Sequence, residues 1–232
     1  MTGTDVADSE ALEFNFSGQR FGRKGRRVRE GLLQAARDLM ARSPLTVPTL
    51  TAVTAAAGVK ITSVYRYYPD VNSLLAEAML QPLEEIKPVT ALLEEEWPKG
   101  KEFQRALKFS TALYEYWRAR RGILFVRNSL AERGDARFVR LRLDWARPMF
   151  VALATKLGQA HGKTEIDPMN MATARIILPG LERTLTLLLQ SQELENNILG
   201  QDVADIVIIS TEVREAFAHL IALLMKHDHL QE

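Results

Sequence analysis

The sequence predicts an all-α protein, and three observations carry that prediction. Apolar residues recur at spacings of three and four through most of the chain. No stretch alternates apolar and polar residues over strand length with turn signals at both ends. Only 9 prolines and 13 glycines occur, and the aromatic share is 7%, a composition that leans toward helix.

Residues 1–24 lack periodicity and end in GQRFGRKG, which reads as a mobile arm with an acidic start and a basic finish. From Arg26 to about Ala41, Val28, Leu32, Ala36, Leu39 and Met40 recur at helical spacing, and Ser43-Pro44 ends the helix. Thr49 supplies an N-cap hydroxyl for a short helix that opens at Leu50, and Gly58 stops it. Another short helix spans about Lys60–Tyr67, ended by Pro69. Asp70 caps a fourth, which carries Leu74, Leu75, Ala78 and Met79. Long helices are expected at about 101–119, 122–133, 135–161, 167–191 and 201–227, broken at Pro98-Lys99-Gly100, Arg121-Gly122, Gly134, Gly162 and Gly200. Pro82, Pro88, Pro148 and Pro179 fall inside helical stretches and are expected to kink or interrupt them. Three units result: an arm 1–24, a small helical unit 25–75, and a larger helical body 76–232.

Charge separates these units. The net charge of +1 conceals a run from 17 to 69 with ten Lys/Arg against two acids, a local +8. A compact basic unit joined to a mildly acidic body points to a polyanion. With no cysteine, the chain has no disulfide, thiolate zinc site or cysteine nucleophile. There is no phosphate-cradling glycine loop, no Gly-x-Ser-x-Gly elbow and no His-Glu-x-x-His helix, so an enzyme is not expected. His227 and His229 lie near the end of the sequence and give no metal site; no cofactor is expected. The opening MTGTDVADSE is acidic and polar, unlike a secretory signal, and the longest apolar stretch, Ala216–Met225, has ten residues; a cytoplasmic protein is expected.

The pair of short helices joined through Ala57-Gly58-Val59 matches a helix-turn-helix, whose second helix enters the DNA major groove. Residues 26–80 closely resemble the N-terminal domain of TetR-family transcriptional regulators. The marks are the amphipathic first helix with Ala35-Ala36, Thr49-Leu50, Ala57-Gly58-Val59, then Tyr65-Arg66-Tyr67-Tyr68-Pro69 and Leu74-Leu75. The resemblance implies a three-helix DNA-binding domain followed by a larger helical domain that binds a small molecule and a second subunit. It places Lys60, Ile61, Thr62 and Ser63 toward DNA, makes Tyr65 a phosphate contact, and adds Arg66, Tyr67 and Thr49; Tyr68 is expected to pack between helices. Two departures stand out: Lys60 replaces a capping Ser or Thr, and Val71 replaces a lysine that contacts phosphate. Arg20, Arg23, Lys24, Arg26 and Arg27 of the arm could compensate along the backbone or in the minor groove.

For the body, the resemblance implies an effector pocket among the middle helices. Tyr114, Trp117, Asn128, Trp145, Met149 and Met171 are the candidate walls, suited to an apolar or aromatic ligand. Arg175 and Glu182 are candidate polar anchors, or members of a salt bridge. The last two helices carry apolar stripes wide enough to be buried on two sides. Leu181, Leu185, Leu188, Val213, Phe217, Leu220 and Leu224 are the expected homodimer interface. The implied function is a repressor released from a palindromic operator by its inducer. The alternative is a DNA-binding or partner-binding protein of the same fold with no small-molecule response, which a core without a connected cavity would favour.

Overall fold

In the computed structural model, which describes residues 22–194 and 203–226, ten α-helices and no strand are found among the described residues. They are α1 (Arg23–Arg42), α2 (Leu50–Ala57), α3 (Ile61–Val64), α4 (Val71–Glu84), α5 (Lys87–Glu94), α6 (Glu102–Ala119), α7 (Arg121–Glu132), α8 (Ala136–Ala160), α9 (Pro168–Leu194) and α10 (Val203–Lys226). Helices α1–α3 form a small head. The body packs α10 on α6 and α8 between α7 and α9, with α5 against α6 and α8.

Local chemistry sets the head. The buried stripe Leu32, Leu33, Ala35, Ala36 and Met40 turns α1 toward α2 and α4. The Thr49 side chain accepts from the Ala52 N–H at 3.2 Å and caps α2. Gly58 takes φ +65°, a left-handed conformation that lets the Val59 N–H bond back to the Thr54 carbonyl at 3.0 Å and fixes the turn. The basic residues Arg23, Lys24, Arg26 and Arg27, expected in an arm, instead belong to the exposed opening turns of α1. Arg20 lies outside the described residues.

Three seams join head and body. Helix α4 runs unbroken across residue 75, because Leu74, Leu75, Ala78 and Met79 form one buried stripe; the sequence boundary there therefore falls within a helix. At its start, Asp70 caps the Ser73 N–H at 2.7 Å, and Asp135 caps α8. Arg137 ties these two caps together: it donates to Asp70 at 2.8 and 3.0 Å, to the Ser73 hydroxyl at 2.6 Å, and to Asp135 at 2.7 and 2.9 Å. Asn72 adds a bond to Asp135 at 2.9 Å. The third seam is backbone on backbone. A Cβ at Gly122, in the first turn of α7, would stand 1.9 Å from the Met40 carbonyl oxygen and 3.1 Å from the Pro44 Cα. Only glycine lets α7 touch the end of α1 this closely.

The prolines act differently from one another. Pro82 lies in the last turn of α4 and Pro88 in the first turn of α5, where a missing N–H costs nothing, so the chain breaks between them. Helices α8 and α9 continue across Pro148 and Pro179 without interruption. The buried Lys156 donates to the Glu95 carbonyl at 2.7 Å and so satisfies the end of α5. No helix among the described residues is long and apolar enough to cross a membrane.

The Arg137 clip titrates in acid. Hydrogen bonds from Arg137 hold the Asp135 carboxyl at about 2 despite some burial. Burial raises the Asp70 carboxyl, but the Ser73 N–H and hydroxyl and Arg137 outweigh it and hold the group below the usual range. Groups depressed in this way stabilise the fold above the ordinary aspartate value, about 3.9, and lose that contribution as pH falls toward the folded value. Thermal stability should therefore drop between about pH 4 and about pH 2 by more in the wild type than in Arg137→Gln, which a melting series in acid would show.

Candidate functional site

Two parts of the molecule carry chemistry, a basic surface on the head and a cleft in the body. On the head, α3 is only Ile61–Val64, continued by a hydrogen-bonded turn in which the Tyr67 and Tyr68 N–H groups bond to the Val64 carbonyl at 2.8 and 2.9 Å. This is shorter than the expected Lys60–Tyr67. Lys60 sits at the N-cap without a side-chain cap bond, and β-branched residues fill most of the helix. Val64 and Tyr68 are buried and anchor the element to the head. Lys60, Ile61, Thr62, Tyr65 and Arg66 are exposed, Tyr65 by 55% and Ile61 by 42%; Ser63 and Tyr67 are half-buried. Ile61 on this short helix and Tyr65 at its C-cap therefore both face outward.

At the N-terminus of α1, Arg23, Lys24 and Arg26 meet the positive end of the helix dipole, with no acid in the first turn. The Thr49 hydroxyl accepts from Ala52, yet its own hydrogen remains able to reach a phosphate.

The body is organised around Arg127. Its side chain is fully buried, with 0% exposure, in the middle of α7. Nη2 donates to Glu182 of α9 at 3.0 Å, and Nε donates to the Asn128 side-chain oxygen at 3.0 Å; Asn128 in turn donates to Glu182 at 3.1 Å. The guanidinium lies over the Trp145 ring at 4.4 Å and near the Trp117 ring at 5.9 Å. Nη1 has no hydrogen-bond partner. Desolvation draws the group down to about 10, Glu182 pulls it up, and the nearby Arg142 lowers it further. The group stays charged at neutral pH.

Bonds continue from Trp145 to the head. Its indole N–H donates to the Tyr116 hydroxyl at 3.1 Å, and that hydroxyl donates to the Pro82 carbonyl at 3.2 Å. Burial pushes the Tyr116 phenol up to about 12, so it remains a donor. The last turn of α4 is thus held by a side chain of α6, which is positioned by α8.

Beside Arg127 opens a cleft of about 400 Å³ between α7, α8 and α9. Phe125, Leu143, Phe150 and Pro179 give it apolar walls, and Asn128, Glu132, Glu182, Arg142 and Arg183 give it polar ones. Of the six pocket residues expected from sequence, only Asn128 lines this cleft. Trp145 instead walls a separate groove of about 540 Å³ between α4, α5 and α8. Trp117 borders a small gap beside Pro44. Tyr114 is buried under Arg214, 5.0 Å from its ring, Met149 is core, and Met171 packs against the core. Of the two expected anchors, Glu182 forms a salt bridge, while Arg175 is exposed. Arg127 was missed by sequence reasoning, although a signal exists. It occupies the buried stripe of Ile123, Leu124, Leu130 and Ala131, where an arginine needs a partner.

The expected dimer residues also divide. Leu181, Leu185 and Phe217 are buried in the chain's own core, which a wide apolar stripe cannot distinguish from a partner surface; Leu188, Val213 and Leu224 are half-buried. The outward face of α9 and α10 carries Ile176 at 74% exposure, Leu187, Leu220 and Leu223. Among the described residues no group of three or more metal-ligating side chains occurs, and His227 and His229 lie outside them.

Removing Glu182 strands a buried cation. Glu182→Gln should destabilise the fold by about 3–5 kcal/mol, whereas Arg127→Met with Glu182→Leu should cost less than Glu182→Gln alone. Urea unfolding of the wild type and both variants would measure the difference.

A family model for the tetracyclin repressor-like C-terminal domain matches residues 89–223, more than half of the chain. No curated protein matches. Among solved structures, a TetR-family transcriptional regulator from Streptomyces coelicolor is similar at 20% identity and TM-score 0.59, covering 85% of this chain and 82% of that one. Salmonella enterica GusR is similar at 15% identity and TM-score 0.54, covering 86% and 96%. A TetR-family regulator from Mesorhizobium loti is similar at 15% identity and TM-score 0.56, covering 88% and 98%. At these identities the structures speak for the fold, while the matched domain model speaks for the family. With an all-α head that carries a helix-turn-helix and a body that matches this domain, the chain belongs to the TetR family of transcriptional regulators, non-enzymatic proteins that bind DNA.

Proposed function

We propose that the chain is a homodimeric repressor that binds a palindromic operator through α1–α3 and is released by a small effector with an apolar or aromatic body. The observation that carries this reading is the exposed basic and apolar face of Lys60, Ile61, Thr62, Tyr65 and Arg66, in a head that also exposes the bases opening α1. Arg66 and Tyr65 suit phosphates, and Ile61 suits a thymine methyl. The cleft beside Arg127 supports the effector-responsive reading over the rival without a ligand, because a cavity of about 400 Å³ falls in the range of small-molecule sites. Glu182 lines the cleft and also holds Arg127, so a ligand there meets the bonded path that ends at α4. Its effect on DNA is limited to its differential affinity for the two states.

Dimerisation sets the operator's symmetry. The two recognition elements must stand about one helical turn apart, about 34–36 Å, or a multiple of it. The outward face of Ile176, Leu187, Leu220 and Leu223 is the surface we assign to the partner. Leu220→Glu with Leu223→Glu should give a monomer of about 26 kDa by light scattering; a variant that stays dimeric would exclude this face.

Selection from random duplexes with the purified protein should return a palindrome, bound with a steep salt dependence. Tyr65→Phe should weaken binding about equally on every sequence, whereas changes at Ile61 should shift base preference by about 1–3 kcal/mol. No enrichment at moderate salt would overturn the operator reading.

A further inference from the structure

We propose that the cleft between α7, α8 and α9 selects a carboxylate-bearing molecule, with the acid at Arg142 and the apolar body along Phe125, Leu143, Phe150 and Pro179. This rests on the effector reading above and names the ligand's chemical class.

The argument is one of unmatched charge. Arg142 projects from α8 into the cleft wall and is half-buried, yet it makes no ion pair or hydrogen bond among the described residues. A partly desolvated guanidinium without a partner is unfavourable, and its fork of donors fits a carboxylate in two parallel bonds. Close by, Arg127 is fully buried and keeps one nitrogen, Nη1, unbonded. The two arginines sense each other, since Arg142 disfavours the charged form of Arg127. Two carboxylates also line the cleft. One oxygen of Glu182 accepts from both Arg127 and Asn128, so its charge is already matched. Glu132 is exposed at the rim, where water screens it. With Glu182 matched and Glu132 and Arg183 exposed to water, Arg142 is left as the half-buried, unmatched charge of the cleft, which an anion would neutralise. Phenylalanine rings on two sides make an aryl or branched apolar body the complement to that acid.

The test uses three probes on one skeleton, 3-phenylpropionate, 3-phenylpropanol and 3-phenylpropylamine, titrated into the full-length protein at pH 7 by calorimetry. The acid should bind at least about tenfold more tightly than the alcohol, and the amine most weakly. Arg142→Gln should bring the acid down to the level of the alcohol and leave the alcohol unchanged. Arg140→Gln, two residues away, outside the cleft and paired with Asp144, should change neither. Equal binding of acid and alcohol, preference for the amine, persistence of acid preference in Arg142→Gln, or no binding of any probe would each overturn the assignment. Operator binding by the same preparation without probe is measured in parallel. Its loss would undo the regulator reading, whereas a wrong probe preference with operator binding intact undoes only the ligand class.

Discussion

A charge placed in the middle of the core constrains this molecule more than any other interaction. A guanidinium taken out of water needs an anion, donors in register and polarisable faces, and Arg127 draws each from a different helix. The anion comes from α9, the stacked rings from α8 and α6, and the amide from its own helix. Four helices must therefore hold their relative positions for one side chain to remain charged. An apolar core would tolerate sliding, since dispersion is non-directional; this one does not, because the bond to Glu182 and the stacking on Trp145 both have orientation.

That constraint reaches the head through α4. The helix is fixed at its start by two N-caps sharing Arg137, and at its end by the Tyr116 hydroxyl on the Pro82 carbonyl. Pro82 and Pro88 then cut it off from α5, which leaves a rigid rod of 14 residues held at both ends. A rod clamped in this way responds as a unit. Either clamp can be altered by what happens in the body, the far one through Trp145 and the near one through the α7–α8 turn.

Much of this was legible in the sequence where a local rule had one solution. Thr49, Gly58 and Asp70 sit where caps and a left-handed turn require them, and the structure uses each as expected. Tyr68 is buried, in keeping with the interhelical packing expected of it. Legibility ended where the answer depended on what lies across a gap. Tyr114, Trp117 and Met149 do point inward, but inward positions are core far more often than cavity wall. Wide stripes on α9 and α10 did not separate the chain's own core, which takes Leu181, Leu185 and Phe217, from the outward face that carries Leu220. Arg23–Lys24 read as arm because glycines surround them, yet α1 extends through Gly25 and Gly31.

Gly122 has a mechanical meaning. Where α7 crosses the end of α1, main chain rests directly on main chain, with no side chain between to rotate or compress. Such a crossing cannot widen or shorten by rotamer exchange; it can only roll. It is therefore a bearing point, and any movement of the head against the body must keep this contact together with the continuous α4 and the Arg137 clip. Because main chain bears on main chain there, any tilt of α7 would carry the end of α1 with it, with no side chain to take up the change.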